Sequence, residues 1–227
     1  MLLDYNFQSA YYGVFSSNHP ELANNFFPVI EKAAEIGRRR AAYPHWGDRG
    51  LGHSGPAGMI LSSWQPVGIA GLDLGNFSGI ELPSHISPYG GYYMGDLGTR
   101  GLIGWCALVF IDRVDYVSDL EFLRTKAYPI LLEAADFYES YLTKHNNGSL
   151  SLENTCALES CTTPANRKKN GQPQRNVAMT LGWIRATFSA LLRFSEQLGC
   201  DASRRPTWAN IVRWPYVFCS ILLFTAV

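Results

Sequence analysis

The chain has 227 residues, 47% of them hydrophobic and 17% charged, which excludes a disordered chain and suits one domain with a large core. Lysine plus arginine and aspartate plus glutamate both number 19, so the formal net charge is zero and no basic field points to nucleic acid or an anionic membrane. Aromatic residues make up 13%, with 6 Trp and 12 Tyr, which fill cores by default and stack on the apolar C–H face of a sugar where they line a cleft.

Residues 1–17 are aromatic-rich, with Tyr5, Phe7, Tyr11, Tyr12 and Phe15. Polar Asp4, Asn6 and Gln8 alternate among them. In an extended segment that spacing puts all three on one face, as one wall of a site or simply as a solvated edge. Asn18-His19-Pro20-Glu21 opens the first clear helix, with Pro and Glu in its first turn. Leu22, Phe26, Val29, Ile30, Ala33 and Ala34 fall on its inner face, and Arg38-Arg39-Arg40 gives a cationic last turn.

Residues 43–94 hold no clear period and are rich in Gly, Pro, Ser and Trp. A stretch of this length inside a domain is usually functional. Its Trp46, His53, Trp64 and Tyr93 suit sugar binding by stacking and hydrogen bonding, and a single His or Trp of this kind is as readily structural. Asp48, Asp73, Glu81 and Asp96 are further acids that no spacing singles out.

Gly95 to Val114 reads as a helix that is apolar nearly all round, including Leu102, Ile103, Trp105, Cys106 and Phe110. Ser118-Asp119-Leu120-Glu121 reads as a capping box starting the strongest helix, Ser118 to Lys144. Pro129 inside that helix predicts a kink or a late first turn. Asn147-Gly148 is a turn dipeptide, and Ser149 to Leu152 alternates as a short strand does. Cys156-Ala157-Leu158 is apolar and ends on Glu159. A carboxylate against an apolar wall has a raised pKa and suits a general acid, whereas a loop glutamate in water does not. Thr162 to Asn176 is a polar loop. Val177 to Leu198 is helical with Gly199 as its stop, and Arg204-Arg205-Pro206-Thr207-Trp208 starts another helix.

The run from Phe122 to Leu142, with the turn, strand and glutamate that follow it, resembles the catalytic domain of glycoside hydrolase family 95, among the six-hairpin glycosidases. The resemblance covers about 1–212 and is patchy between Ala42 and Met94. It implies an all-α fold, a partial (α/α)6 toroid with long cleft loops at one end. It implies inverting hydrolysis of a glycosidic bond, with Glu159 as the general acid. Asn6 and Gln8 match the family's "NxNxQ" pattern, whose asparagines hold and polarise the attacking water. Asp4 stands where the family has its first asparagine, a departure at the water site, and is a candidate base. The family's own base is an aspartate further along the chain than this match extends. The resemblance implies a carbohydrate substrate, with members similar to α-L-fucosidases and α-L-galactosidases, and Gln8 of its motif joins Trp46, His53, Trp64 and Tyr93 of the 43–94 stretch as substrate-binding candidates. It implies no cofactor.

Five cysteines is an odd number, and neither CxxC nor a Cys/His spacing for zinc occurs, so no metal is expected. Cys156 and Cys161 flank Glu159 and pair only in an oxidising compartment; buried free thiols are the alternative. Asn76-Phe77-Ser78 and Asn147-Gly148-Ser149 fit the glycosylation triplet, which matters only for a secreted chain. Relatives are often secreted or lysosomal, whereas Met1-Leu2-Leu3-Asp4 opens no signal peptide. Trp214 to Val227 is shorter than the ~20 residues of a spanning helix and carries Pro215. Residues 213–227 are expected to lie outside the fold, as read-through or a frame change, with a terminal helix on the core as the alternative. On that expectation 1–212 is an incomplete copy, and a catalytically inactive carbohydrate-binding fragment or truncated product is the second reading. No transmembrane span is expected, and oligomeric state is not legible.

Overall fold

A computed structural model describes residues 3, 5–42, 77–83, 85–86, 92–93, 99–153, 155, 157 and 175–214. The first element, α1, is a single helical turn, Asn6–Ser9. The expected extended segment is therefore corrected. Residues two apart on a helix point about 200° apart, so spacing two separates side chains here instead of aligning them. Asn6 is exposed and Gln8 is fully buried.

A 3-10 turn, Pro20–Asn25, leads into α2, Phe26–Ala42. Phe26, Ile30, Ala33 and Ala34 are buried as their periodicity predicts, but Leu22 is exposed. The three-residue repeat of the 3-10 turn breaks phase with α2 and turns Ala23 inward in its place. Two short antiparallel pairs are present among the described residues. One joins β1, His85–Ile86, to β2, Tyr92–Tyr93. The other joins β3, Thr143–Lys144, to β4, Leu150–Ser151, through the predicted turn at Asn147-Gly148.

Helix α3, Leu102–Val117, is buried on most of its circumference. It closes with Ser118 in the left-handed conformation, its N–H bonded to the Val114 carbonyl at 2.9 Å. Ser118 is thus spent ending α3, and Asp119 caps the next helix by accepting from the Phe122 N–H at 2.9 Å. The predicted capping box is displaced by one residue.

That next helix is built in three parts: α4, Leu120–Phe122; a π-helical turn, Leu123–Ala127; and α5, Tyr128–Tyr141. Pro129 explains the middle part. Its ring would collide with the Thr125 carbonyl of a regular helix, and it has no N–H to donate there. The wide turn opens that space, and the Tyr128 N–H reaches back five residues to the Leu123 carbonyl. The helix ends at Tyr141, short of Lys144, because Thr143 and Lys144 pair with β4. Two further helices follow: α6, Ala178–Leu198, stopped by Gly199, and α7, Arg205–Arg213.

Helices α3, α5 and α6 pack on one another, and α7 packs on α6. Phe110, Phe137, Tyr138, Phe188, Phe194 and Trp208 are fully buried between them, each worth about 1.5–3 kcal/mol of transfer free energy. Residues 77–83 form an extended strap across the seam between α2 and α5. Its Phe77 N–H bonds the Ala41 carbonyl at 3.0 Å, its Ile80 N–H the Glu133 carbonyl at 3.3 Å, and its Glu81 N–H the Gly37 carbonyl at 3.2 Å. Gly79 makes the crossing possible, since a Cβ there would stand 2.1 Å from the Glu133 carbonyl oxygen. The fold is all-α. Among the described residues no helix is long and apolar enough to cross a membrane. Of the predicted tail, 213–227, Arg213 is the last residue of α7 and Trp214 follows it, and residues 215–227 lie outside the described residues.

Candidate active site

One end of the bundle collects the polar side chains that the core cannot absorb. It is the end where the N-termini of α3 and α6 meet the C-terminus of α5. Arg100, just before α3, is buried, and its guanidinium bonds the Glu81 carboxylate of the strap at 2.5 Å. Glu81 is fully buried, so this acid, one of those the spacing could not rank, is a structural partner of Arg100. The Arg100 backbone N–H donates to Thr155 Oγ1 at 3.2 Å, and the Arg100 carbonyl accepts from Thr180 Oγ1 of α6 at 3.5 Å. The neighbouring Gly101 carbonyl accepts from Tyr138 Oη of α5 at 2.7 Å. Arg100 and Gly101 thereby join the strap, three helices and the residue from which the candidate acid loop departs.

The strand side of that loop is tied down as well. Tyr141 Oη donates to the Glu153 carbonyl at 2.5 Å. Arg175 pairs with the Glu153 carboxylate at 2.8 Å, and Ser151 Oγ donates to the same carboxylate. His145 Nε2 lies 2.7 Å from Ser151 Oγ. Leu152 and Asn176 exchange two hydrogen bonds, at 2.9 and 2.8 Å, which hold the chain at 152 against the chain at 176. Burial pushes the Tyr141 phenol well above its usual range, and the nearby Arg100 charge opposes the shift. Tyr141 is therefore a neutral donor at working pH.

The other wall is aromatic. Trp105 of α3 stacks on Trp183 of α6, with ring centroids 5.1 Å apart and planes 22° from parallel. Tyr5 lies against Trp105 at 6.2 Å, and the Trp105 indole N–H donates to Tyr12 Oη at 2.9 Å. Below them Gln8 donates to Cys106 Sγ at 3.4 Å and to the Leu3 carbonyl. Burial pushes the Cys106 thiol up to about 12, so it is an inert packing group.

The predicted site residues divide as follows. Asn6 is exposed beside the aromatic wall. Gln8 is fully buried, and it braces α1 against α3 instead of facing a ligand, which corrects its assignment to substrate. Tyr93 pairs with His85 in the β1–β2 ladder. Asp4, Trp46, His53, Trp64 and Glu159 lie outside the described residues, as do Cys156 and Cys161. Arg100, Thr155, Tyr138 and Trp183 escaped the sequence reading. Thr-Arg-Gly before an apolar helix carries no motif, and a Trp on a helical stripe reads as core.

Two other features stand outside the Arg100 and Trp105 clusters. Asp112, whose carboxyl is pushed up by burial and by Asp115, sits about 15 Å along α3 from its first turn. A cavity of about 640 Å³ lies between α7, the β3–β4 hairpin and the end of α5, lined by Lys144, Thr207, Asn210 and Arg213 among others. It holds none of the predicted site residues, and its one carboxylate, Glu139, is engaged by Arg204 and by the Trp208 indole. Among the described residues no three metal-binding side chains converge.

Residues 88–215, more than half of the chain, match the glycosyl hydrolase family 95 catalytic domain. No curated protein matches the chain.

Proposed function

Starting from a chain that belongs to glycosyl hydrolase family 95, whose helical toroid these helices form part of, we propose that it cleaves a glycosidic bond with inversion at the anomeric carbon. Glu159 protonates the leaving oxygen. Asn6 and the side chain at position 4 hold the water that attacks from the opposite face of the sugar. Asp4, in place of an amide, acts there as the base that takes the water's proton. Inverting sites keep their two carboxyl groups ~6.5–9.5 Å apart so that a water fits between sugar and base.

The observation that carries this reading is the convergence at the start of α3. Thr155, at the root of the acid loop, is bonded to Arg100, and Gln8, at the end of the Asn6 segment, is bonded to Cys106. Cys106 lies in α3, and Arg100 stands two residues before its start. These two anchors at the start of α3 support the reading, since preorganised catalysis requires an acid and a water site held on a common support.

The test is hydrolysis of aryl α-L-fucoside, α-L-galactoside and a wider aryl glycoside panel, with the anomer of the first-formed sugar read by NMR. Turnover giving the inverted anomer, lost in Glu159→Gln and in Asp4→Asn while the helical signal persists, is the expected result. Full activity in Glu159→Gln assigns the acid elsewhere, and full activity in Asp4→Asn removes Asp4 as base. Sugar binding with no turnover by the unmodified chain favours an inactive carbohydrate-binding protein.

A further inference from the structure

Tyr5 and Tyr12 are 53% and 52% exposed, yet both are held against Trp105, which is almost entirely buried and stacks on the equally buried Trp183. Their arrangement is more specific than loose surface aromatics. The backbone at Tyr5 is in a strained conformation, φ +148°, that a tyrosine adopts only when its surroundings impose it. The Tyr12 hydroxyl accepts the Trp105 indole N–H, which leaves its own proton to donate outward. Beneath the rings, the side-chain carbonyl oxygen of the fully buried Gln8 has no hydrogen-bond partner among the described residues. Exposed Asn6 follows Tyr5 directly.

We propose that Tyr5 and Tyr12, backed by Trp105 and Trp183, form a stacking platform for one sugar ring of a neutral glycan, next to Asn6. The chemistry selects the ligand class. A pyranose offers a flat apolar C–H face to the rings and hydroxyl groups at its edge to the Tyr12 proton. Among the described residues no charged side chain is bonded within the cluster, and the rings with the Tyr12 hydroxyl suit a neutral sugar. The platform names which described residues hold the carbohydrate and rests on the carbohydrate reading above. It does not require that the bond be cleaved.

The test is a titration of the full chain with methyl glycosides of L-fucose, L-galactose, D-galactose, D-glucose and D-xylose, followed by tryptophan fluorescence. Trp105 touches both tyrosines and stacks on Trp183, so its fluorescence is expected to report the arrival of a ring. At least one glycoside is expected to bind. Tyr5→Leu keeps apolar bulk over Trp105 but no ring, and Tyr12→Ala removes the second ring. Each is expected to weaken binding about fivefold to tenfold. Tyr12→Phe keeps the ring and is expected to lose less. Circular dichroism and the melting temperature show whether each variant is folded.

Binding within twofold of the unmodified chain in both folded variants overturns the platform, even where hydrolysis proceeds. Failure of every glycoside to bind overturns it too. Binding that depends on the tyrosines in a chain that turns nothing over upholds the platform while the hydrolytic reading fails.

Discussion

The Glu81 carboxylate and the Arg100 guanidinium meet at 2.5 Å with almost no exposure to water, and they join the strap across α2 and α5 to the start of α3. Two buried charges of this kind balance each other, and removal of one leaves the other stranded. Arg100→Met or Glu81→Leu alone is expected to cost about 3–5 kcal/mol in urea denaturation, and the double variant less than either single change. A single variant that loses under 1 kcal/mol would show that the pair is solvated in solution.

Gly104 and Tyr138 occupy adjoining space at the same end. A Cβ on residue 104 would stand 2.1 Å from Tyr138 Oη and 2.9 Å from Trp183 Cβ. Gly104→Ala is expected to cost about 1–3 kcal/mol through this overlap, outweighing the gain in helix propensity. Tyr138→Phe loses the bond to Gly101 and is expected to cost about 1 kcal/mol. Because the hydroxyl removed by the second change is the atom struck by the first, the double variant should cost clearly less than the sum. Additive losses in that cycle would refute the geometry.

The long, strongly periodic parts of the fold were legible in the sequence. The α6 helix begins one residue after its predicted start and ends with Gly199 in the left-handed conformation, and the Asn147-Gly148 turn closes a hairpin. These are local signals with local causes. The errors arose where a neighbouring element took a residue that the pattern assigned elsewhere. Ser118 closes α3 and so cannot cap α4, and Lys144 pairs with Leu150 and so leaves α5. At α1 the period itself was misread, because a four-residue turn is too short to show 3.6 over 2.0. The site was less legible still. Arg100 and Thr155 are 55 positions apart and meet only through tertiary packing.

Asp112 gives the chain a pH dependence of defined sign. Burial, then Asp115 one turn on, raises its folded-state pKa above the ordinary carboxylate value. Below the unfolded-state pKa both states are protonated and folding carries no penalty. As pH rises through the folded-state pKa, the folded chain must ionise a partly buried group and loses stability. Asp112→Asn is therefore expected to raise the melting temperature at pH 7, with the gain shrinking as the pH falls through the raised folded-state pKa and gone below about 4. A gain that is independent of pH would point to a cause other than ionisation.

Thr155 links the structural knot to the proposed chemistry. Its hydroxyl accepts the Arg100 N–H at 3.2 Å, and it is the described residue nearest in sequence before the loop that carries Glu159, apart from Ala157. Thr155→Val keeps the shape and deprives a buried N–H of its acceptor, a cost of about 1–3 kcal/mol. The catalytic consequence should exceed the stability cost. A loop root displaced by an ångström misaims the proton donor, and such errors lower rates by as much as ~100-fold. In a chain that hydrolyses an aryl glycoside, kcat is expected to fall at least tenfold with KM changed less than twofold, since the platform at Tyr5 and Tyr12 is untouched. Thr155→Ser, which retains the hydroxyl, is expected to recover most of the rate. Equal losses in the Val and Ser variants would mean that the methyl group, not the bond to Arg100, sets the loop.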